Sequence, residues 1–128
     1  MKILPLFLCI LLNSCVTGRI ATKTGVEEIH FGNGGGFTGE VKEYTLTSES
    51  KLLENEKESK KIDSKITFEV FNSAKELKDY QYNKPDNMYS FIEIKTKEKT
   101  NRIVWSYGST DIDEKVIELY SKLILTTK

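Results

Sequence analysis

The chain has 128 residues, with 19 Lys and Arg against 19 Asp and Glu, and 38% of it is apolar. That balance lacks the basic excess that phosphate-backbone binding needs, which argues against nucleic acid as a partner. One domain is expected at this length, large enough to bury roughly two thirds of the surface that its unfolded form exposes.

The first fourteen residues, MKILPLFLCILLNS, are a basic start at Lys2, an apolar run from Ile3 to Leu12 and two small polar residues. The run is too short to span a bilayer as a helix and reads as a secretory signal, residues 1–14. Leu12-Asn13-Ser14-Cys15 resembles the bacterial lipoprotein cleavage box, which implies acylation of Cys15 and attachment to the membrane through lipid, with the domain outside the cytoplasm in the cell envelope. After cleavage Cys15 would be the sole cysteine, so no disulfide and no thiolate metal site is expected. Residues 15–25 are small and polar after the cysteine and suit a tether, leaving 26–128 as the folded domain.

Within that domain Ile29 and Phe31 alternate as a short strand over Val26–Phe31. Five glycines follow within FGNGGGFTG, and Gly34, Gly36 and Gly39 spell G-x-G-x-x-G. A dinucleotide site needs a helix directly after such glycines, because the pyrophosphate rests on the helix N-terminus. Here Phe37 to Thr47 is rich in β-formers, so the glycines read as a turn between two strands, with a bulge near Lys42 and Glu43. No nucleotide is expected. Phe37 stands between glycines, either tucked under the loop or offered to a partner.

Residues 48–64 are densely charged and read as a solvated hairpin or loop. Ile66, Phe68 and Val70 alternate like a strand, whereas Ser73 and Glu76 have capping-box spacing, so 65–71 is left open and a helix is placed over about 74–82. Pro85-Asp86-Asn87 turns the chain. Met88–Lys95 and Arg102–Tyr107 form a hairpin whose loop must be even in length to bring Ile92, Ile94, Ile103 and Trp105 to one face. A loop of Lys97 to Thr100 pairs Ile94 with Ile103, Ile92 with Trp105 and Ser90 with Tyr107. Trp105 is expected in the core. Asp111 and Glu114 suggest a reciprocal cap for a closing helix with an apolar stripe of Ile112, Val116, Tyr120, Leu123 and Ile124. The fold class is therefore α+β: an antiparallel sheet with a short central helix and a C-terminal amphipathic helix packed on one face.

His30 is the single histidine, and Glu27 and Glu28 point to opposite sheet faces, so no metal set, paired carboxylates or catalytic constellation is expected, and no cofactor. Taken in order, Gly35-Gly36-Phe37-Thr38-Gly39 at the end of a first strand, a central helix, an aromatic hairpin around Tyr89-Ser90-Phe91 and a closing amphipathic helix resemble the emfourin-like small proteins. That family carries a G-G-F-[TA]-G motif, and its founding member inhibits thermolysin-like metallopeptidases. FGNGGGFTG and PDNMYSFIEI also look like small lipoproteins of the Bacteroidetes type. The resemblance implies a non-catalytic protein-binding module, an inhibitor of such metallopeptidases, with Gly35, Gly36, Phe37, Thr38 and Gly39 as partner-binding residues. The alternative is a structural or accessory subunit of an envelope complex. This chain departs from the family by its lipid anchor and by a charged insertion at 51–61.

Overall fold

The computed structural model describes residues 16–128, with side chains from Ile20 onward. The signal segment and the acylation of Cys15 lie outside the described residues. Seven strands form one sheet in the order β4-β3-β2-β1-β6-β7-β5. In chain order the elements are α1 (Val16–Thr24), β1 (Val26–Gly35), β2 (Lys42–Thr47), β3 (Lys51–Glu54), β4 (Lys57–Lys61), α2 (Ser64–Glu76), β5 (Asn83–Lys84), β6 (Met88–Thr96), β7 (Thr100–Ser106) and α3 (Glu114–Thr126). The class is α+β and the sheet is mostly antiparallel. It is mixed rather than wholly antiparallel, because β5 runs parallel to β7 through Asn83↔Val104 and Lys84↔Trp105.

One cluster holds the fold. Ile29 and Phe31 of β1, Leu46, Leu52, Ile92, Ile94, Ile103 and Trp105 share it with Ile20 of α1, with Val70, Phe71 and Ala74 of α2, and with Val116, Leu119 and Leu123 of α3. Side chains alternate across a sheet, so the other face carries Glu28, His30, Thr45, Glu93 and Arg102. Phe91 on that second face is only 1% exposed, with the Arg102 guanidinium 4.1 Å from its ring centroid.

Several elements differ from the sequence reading. Residues 16–24, expected as an irregular tether, form a helix ended by Gly25 at φ 74°, whose N–H donates to the Ala21 carbonyl at 2.7 Å. Burial of Ile20 and Thr24 supplies what the local pattern lacked. α2 begins ten residues before the expected start, capped by Asp63, whose carboxylate accepts from the Lys65 N–H at 2.8 Å. Its buried positions Thr67, Val70, Phe71 and Ala74 have helical spacing, which overrides the alternation of Ile66, Phe68 and Val70; Ser73 is mid-helix and caps nothing.

The β6–β7 hairpin keeps the expected face and slips its register by two residues: Ile92 pairs with Ile103, Ser90 with Trp105 and Ile94 with Asn101. The turn is tighter than expected, with the Thr96 N–H donating to the Lys99 carbonyl at 2.9 Å. Asn101 accounts for the choice, since its amide donates to the carbonyls of Leu77 (3.2 Å) and Tyr80 (2.8 Å) just past α2 and leaves neither buried group orphaned. The charged 48–64 stretch is a hairpin, β3–β4, turning at Asn55 and Glu56 with φ of 50° and 69°. The cap of α3 is Asp113, not Asp111; its carboxylate accepts from the Lys115 N–H at 2.9 Å.

Candidate binding surface at the glycine loop

The glycine segment divides into two parts. Gly32, Gly34 and Gly35 belong to β1, which is longer than expected, and the reversal occupies residues 36–41. β1 and β2 then pair without interruption from Glu28↔Thr47 to Asn33↔Lys42. No bulge at Lys42 and Glu43 is needed, because the strand starts at Lys42 and Phe37 and Val41 lie outside it. The G-x-G-x-x-G thus sits on an antiparallel hairpin, with β2 where a dinucleotide fingerprint requires a helix.

Close approach selects glycine inside the strand. A Cβ on Gly35, which has φ 93°, would lie 1.7 Å from the Asn87 carbonyl oxygen, and one on Gly34 would lie 2.6 Å from the Tyr89 hydroxyl oxygen. The next residue, Gly36, has φ 82° in open space, and its N–H donates to Asn87 O at 2.9 Å. Gly39, at φ 67°, donates back to Gly36 O at 3.3 Å. The loop is therefore pinned at its base to the turn before β6 and held outward at its tip.

Phe37 at that tip is fully exposed, with 111% relative accessibility, so it does not plug the loop. Register places other exposed apolar side chains at the same end of the sheet. Gly35 pairs with Met88 and Tyr89 pairs with Ser106, so Met88 (66% exposed) lies beside the base of the loop and Tyr107 (101%) follows β7 at the same end of the sheet, while Val41 (49%) precedes β2. Met88, Tyr107 and Val41 were not singled out together from sequence. Only the pairing of β1, β2, β6 and β7 brings their ends side by side.

His30 sits on the second face, as its position between Ile29 and Phe31 implies. Its Nε2–H donates to Glu28 Oε1 at 3.0 Å, and Nδ1 lies 3.1 Å from Thr45 Oγ1 and 3.4 Å from Glu43 Oε1. Partial burial raises the Glu28 carboxyl, but the hydrogen bond and charge of His30, aided by Lys95, outweigh it and hold the group below its usual value. Thr45, His30 and Glu28 thus follow one another in the order of nucleophile, base and orienting acid. Thr45, however, is only 6% exposed within β2, and it lines neither the α1–β1 cavity nor the one between β4, α2 and α3. Among the described residues no group of three or more His, Cys, Asp or Glu side chains is placed to hold a metal ion.

Those cavities lie away from the loop. One, about 530 Å³, opens where α1 meets β1, beside Gly25, Lys78 and the Lys97–Lys99 turn. The other, about 410 Å³, lies between β4, α2 and α3. Near the loop end, Asp111 accepts hydrogen bonds from Lys84 Nζ and Tyr82 Oη, both at 2.5 Å, and these hold its carboxyl down to about 2. This cluster ties β5 to the approach to α3.

No protein-family model matches this chain, and no curated protein does. Among the described residues no helix is long and apolar enough to cross a membrane.

Proposed function

We propose that this chain is a non-catalytic, lipid-anchored binding module of the bacterial cell envelope, and that its contact surface is the glycine-loop end of the sheet. The observation that carries this reading is the complete exposure of Phe37 on a loop pinned at its base, at the end of the sheet that also bears three further exposed apolar side chains. Large apolar groups gathered in this way mark interaction sites, and aromatic residues dominate binding hot spots. Pinning the base lowers the ordering cost that a flexible loop would incur on association.

The partner class rests on the resemblance to emfourin-like proteins, which supports a thermolysin-like metallopeptidase bound through Gly35, Gly36, Phe37, Thr38 and Gly39. Residues 16–128 assayed against such an enzyme should slow peptide cleavage at micromolar concentration. Phe37→Ala should weaken inhibition at least tenfold, about 1.4 kcal/mol, with an unchanged melting temperature because nothing packs on that ring. Undiminished cleavage by the wild-type chain would remove the peptidase as partner. Retention of the same Phe37-dependent binding toward an envelope protein would assign the domain to an accessory subunit instead.

A further inference from the structure

A second surface, independent of the glycine loop, lies on the flank of α2 that borders α1. Lys65, Phe68, Asn72 and Lys75 recur at intervals of three, four and three residues, which sets them in one stripe along the helix, and all four are exposed. Phe68 is 40% exposed, and Lys23 of α1 brings its ammonium to 5.8 Å from the ring centroid. α1 thus adds a third lysine to the stripe. It also fixes where the chain leaves the domain: α1 starts at Val16, and Lys23 lies seven residues further on, about 11 Å along the helix axis.

Charge separates this stripe from its surroundings. The two acids within α2 are both engaged by α3, with Lys122 Nζ 2.7 Å from Glu69 and Lys115 Nζ 3.9 Å from Glu76. Asp63 stands at the helix start, where its carboxylate accepts from the Lys65 N–H at 2.8 Å. Lys23, Lys65 and Lys75 enter no salt bridge among the described residues, so the charge left on this flank is positive. The neighbouring cavity of about 530 Å³ is different. There Lys99 is paired with Asp79, and Lys78 and Lys97 are matched by Glu27 and Glu98.

We propose that the stripe of Lys65, Phe68 and Lys75, together with Lys23, rests on the surface of an anionic phospholipid bilayer, with the Phe68 ring among the headgroups and the lysines against their phosphates. The proposal rests on the acylation of Cys15, which would put the bilayer next to Val16. Lipid chains hold a protein to the membrane but leave it free to pivot, whereas lysines near an anionic surface add attraction and an aromatic ring between them adds apolar burial. β1 begins at α1 and ends at the glycine loop, so this contact leaves the loop free for its partner.

The test uses the mature acylated protein reconstituted into phosphatidylcholine vesicles with and without phosphatidylglycerol. Asn72→Cys, in the middle of the stripe, carries an environment-sensitive dye; with Cys15 acylated and Cys9 removed with the signal, it is the sole free thiol. Emission should shift to the blue when phosphatidylglycerol is present, and the shift should be lost at high salt and in the triple variant Lys23→Gln, Lys65→Gln, Lys75→Gln. A dye on Thr38→Cys in the glycine loop should not respond. The three lysines are exposed, so the triple variant should keep the wild-type melting temperature, and the salt arm leaves the protein unaltered. No shift, or an equal shift on phosphatidylcholine alone, would overturn the bilayer contact. A shift with soluble polyglutamate and none with phosphatidylglycerol would assign the stripe to an acidic protein and overturn it equally. Dye uptake by the wild-type chain would show a free Cys15 and refute the anchor alone; sedimentation of that unacylated chain with phosphatidylglycerol vesicles, lost in the triple variant, would still uphold the surface, and its absence would overturn it.

Discussion

Gly35 and Gly36 are neighbours with similar positive φ, yet they are glycines for different reasons. At Gly36 only the backbone matters: φ is 82° and the space around it is open. Gly36→Ala should cost about 1–2 kcal/mol, the penalty of a left-handed L-residue. At Gly35 the same angular strain is joined by a collision with the Asn87 carbonyl, so Gly35→Ala must also force β1 away from the start of β6 and lose more. Urea midpoints of the two variants check the order, and an equal loss would show that the contact with Asn87 is dispensable. Phe37 is the opposite kind of residue, since its ring touches nothing that holds the fold. From sequence its burial was open, because a turn between glycines allows both outcomes; the hydrogen bonds at Gly36 and Gly39 decide it by propping the loop outward.

The elements were legible where one period ran undisturbed. The stripe of α3 is such a case: Val116 and Leu123 are buried, and Ile112, Tyr120 and Ile124 pack against the core. The face shared by Ile92, Ile94, Ile103 and Trp105 was legible too, since parity alone determines it. Register was not, because it depends on Asn101 reaching carbonyls beyond α2 that are distant in sequence. α2 was misread because two periods coexist over 66–74 and the alternating one is the more conspicuous. The parallel strand β5 has two residues, too few for any pattern. Asp111, expected to cap α3, instead binds Lys84 and Tyr82, and this has a titration consequence. Its carboxyl is lowered from 3.8 to about 2, so its contribution is complete above 3.8 and fades as pH falls toward about 2. The melting temperatures of wild type and Asp111→Asn should differ near neutrality and converge in acid, with the gap also shrinking in high salt because the pair is exposed.

At the scale of the whole molecule, the three helices and five strands of the described residues, β1, β2, β3, β6 and β7, contribute to one cluster, and α1 belongs to it through Ile20. A docked α1 predicts that Ile20→Ala costs about 2 kcal/mol in urea unfolding. A loose leader would give no change. The loop was legible as a motif, but the surface around it was assembled by strand pairing and could not be read from any local stretch.

The docking of α1 also sets a separation. β1 runs about 33 Å from Gly25 to the reversal, and α1 spans about 13 Å. Whatever direction that helix takes, Val16 and the tip bearing Phe37 stand at least about 20 Å apart, with no slack between them. For a protein acylated at Cys15, helix and strand would thus act as a rigid spacer between the lipid and the aromatic tip. The tip could then sweep only as far as the whole domain pivots about its anchor, and a visitor seated on Phe37 would be carried at a set remove from the acylated residue.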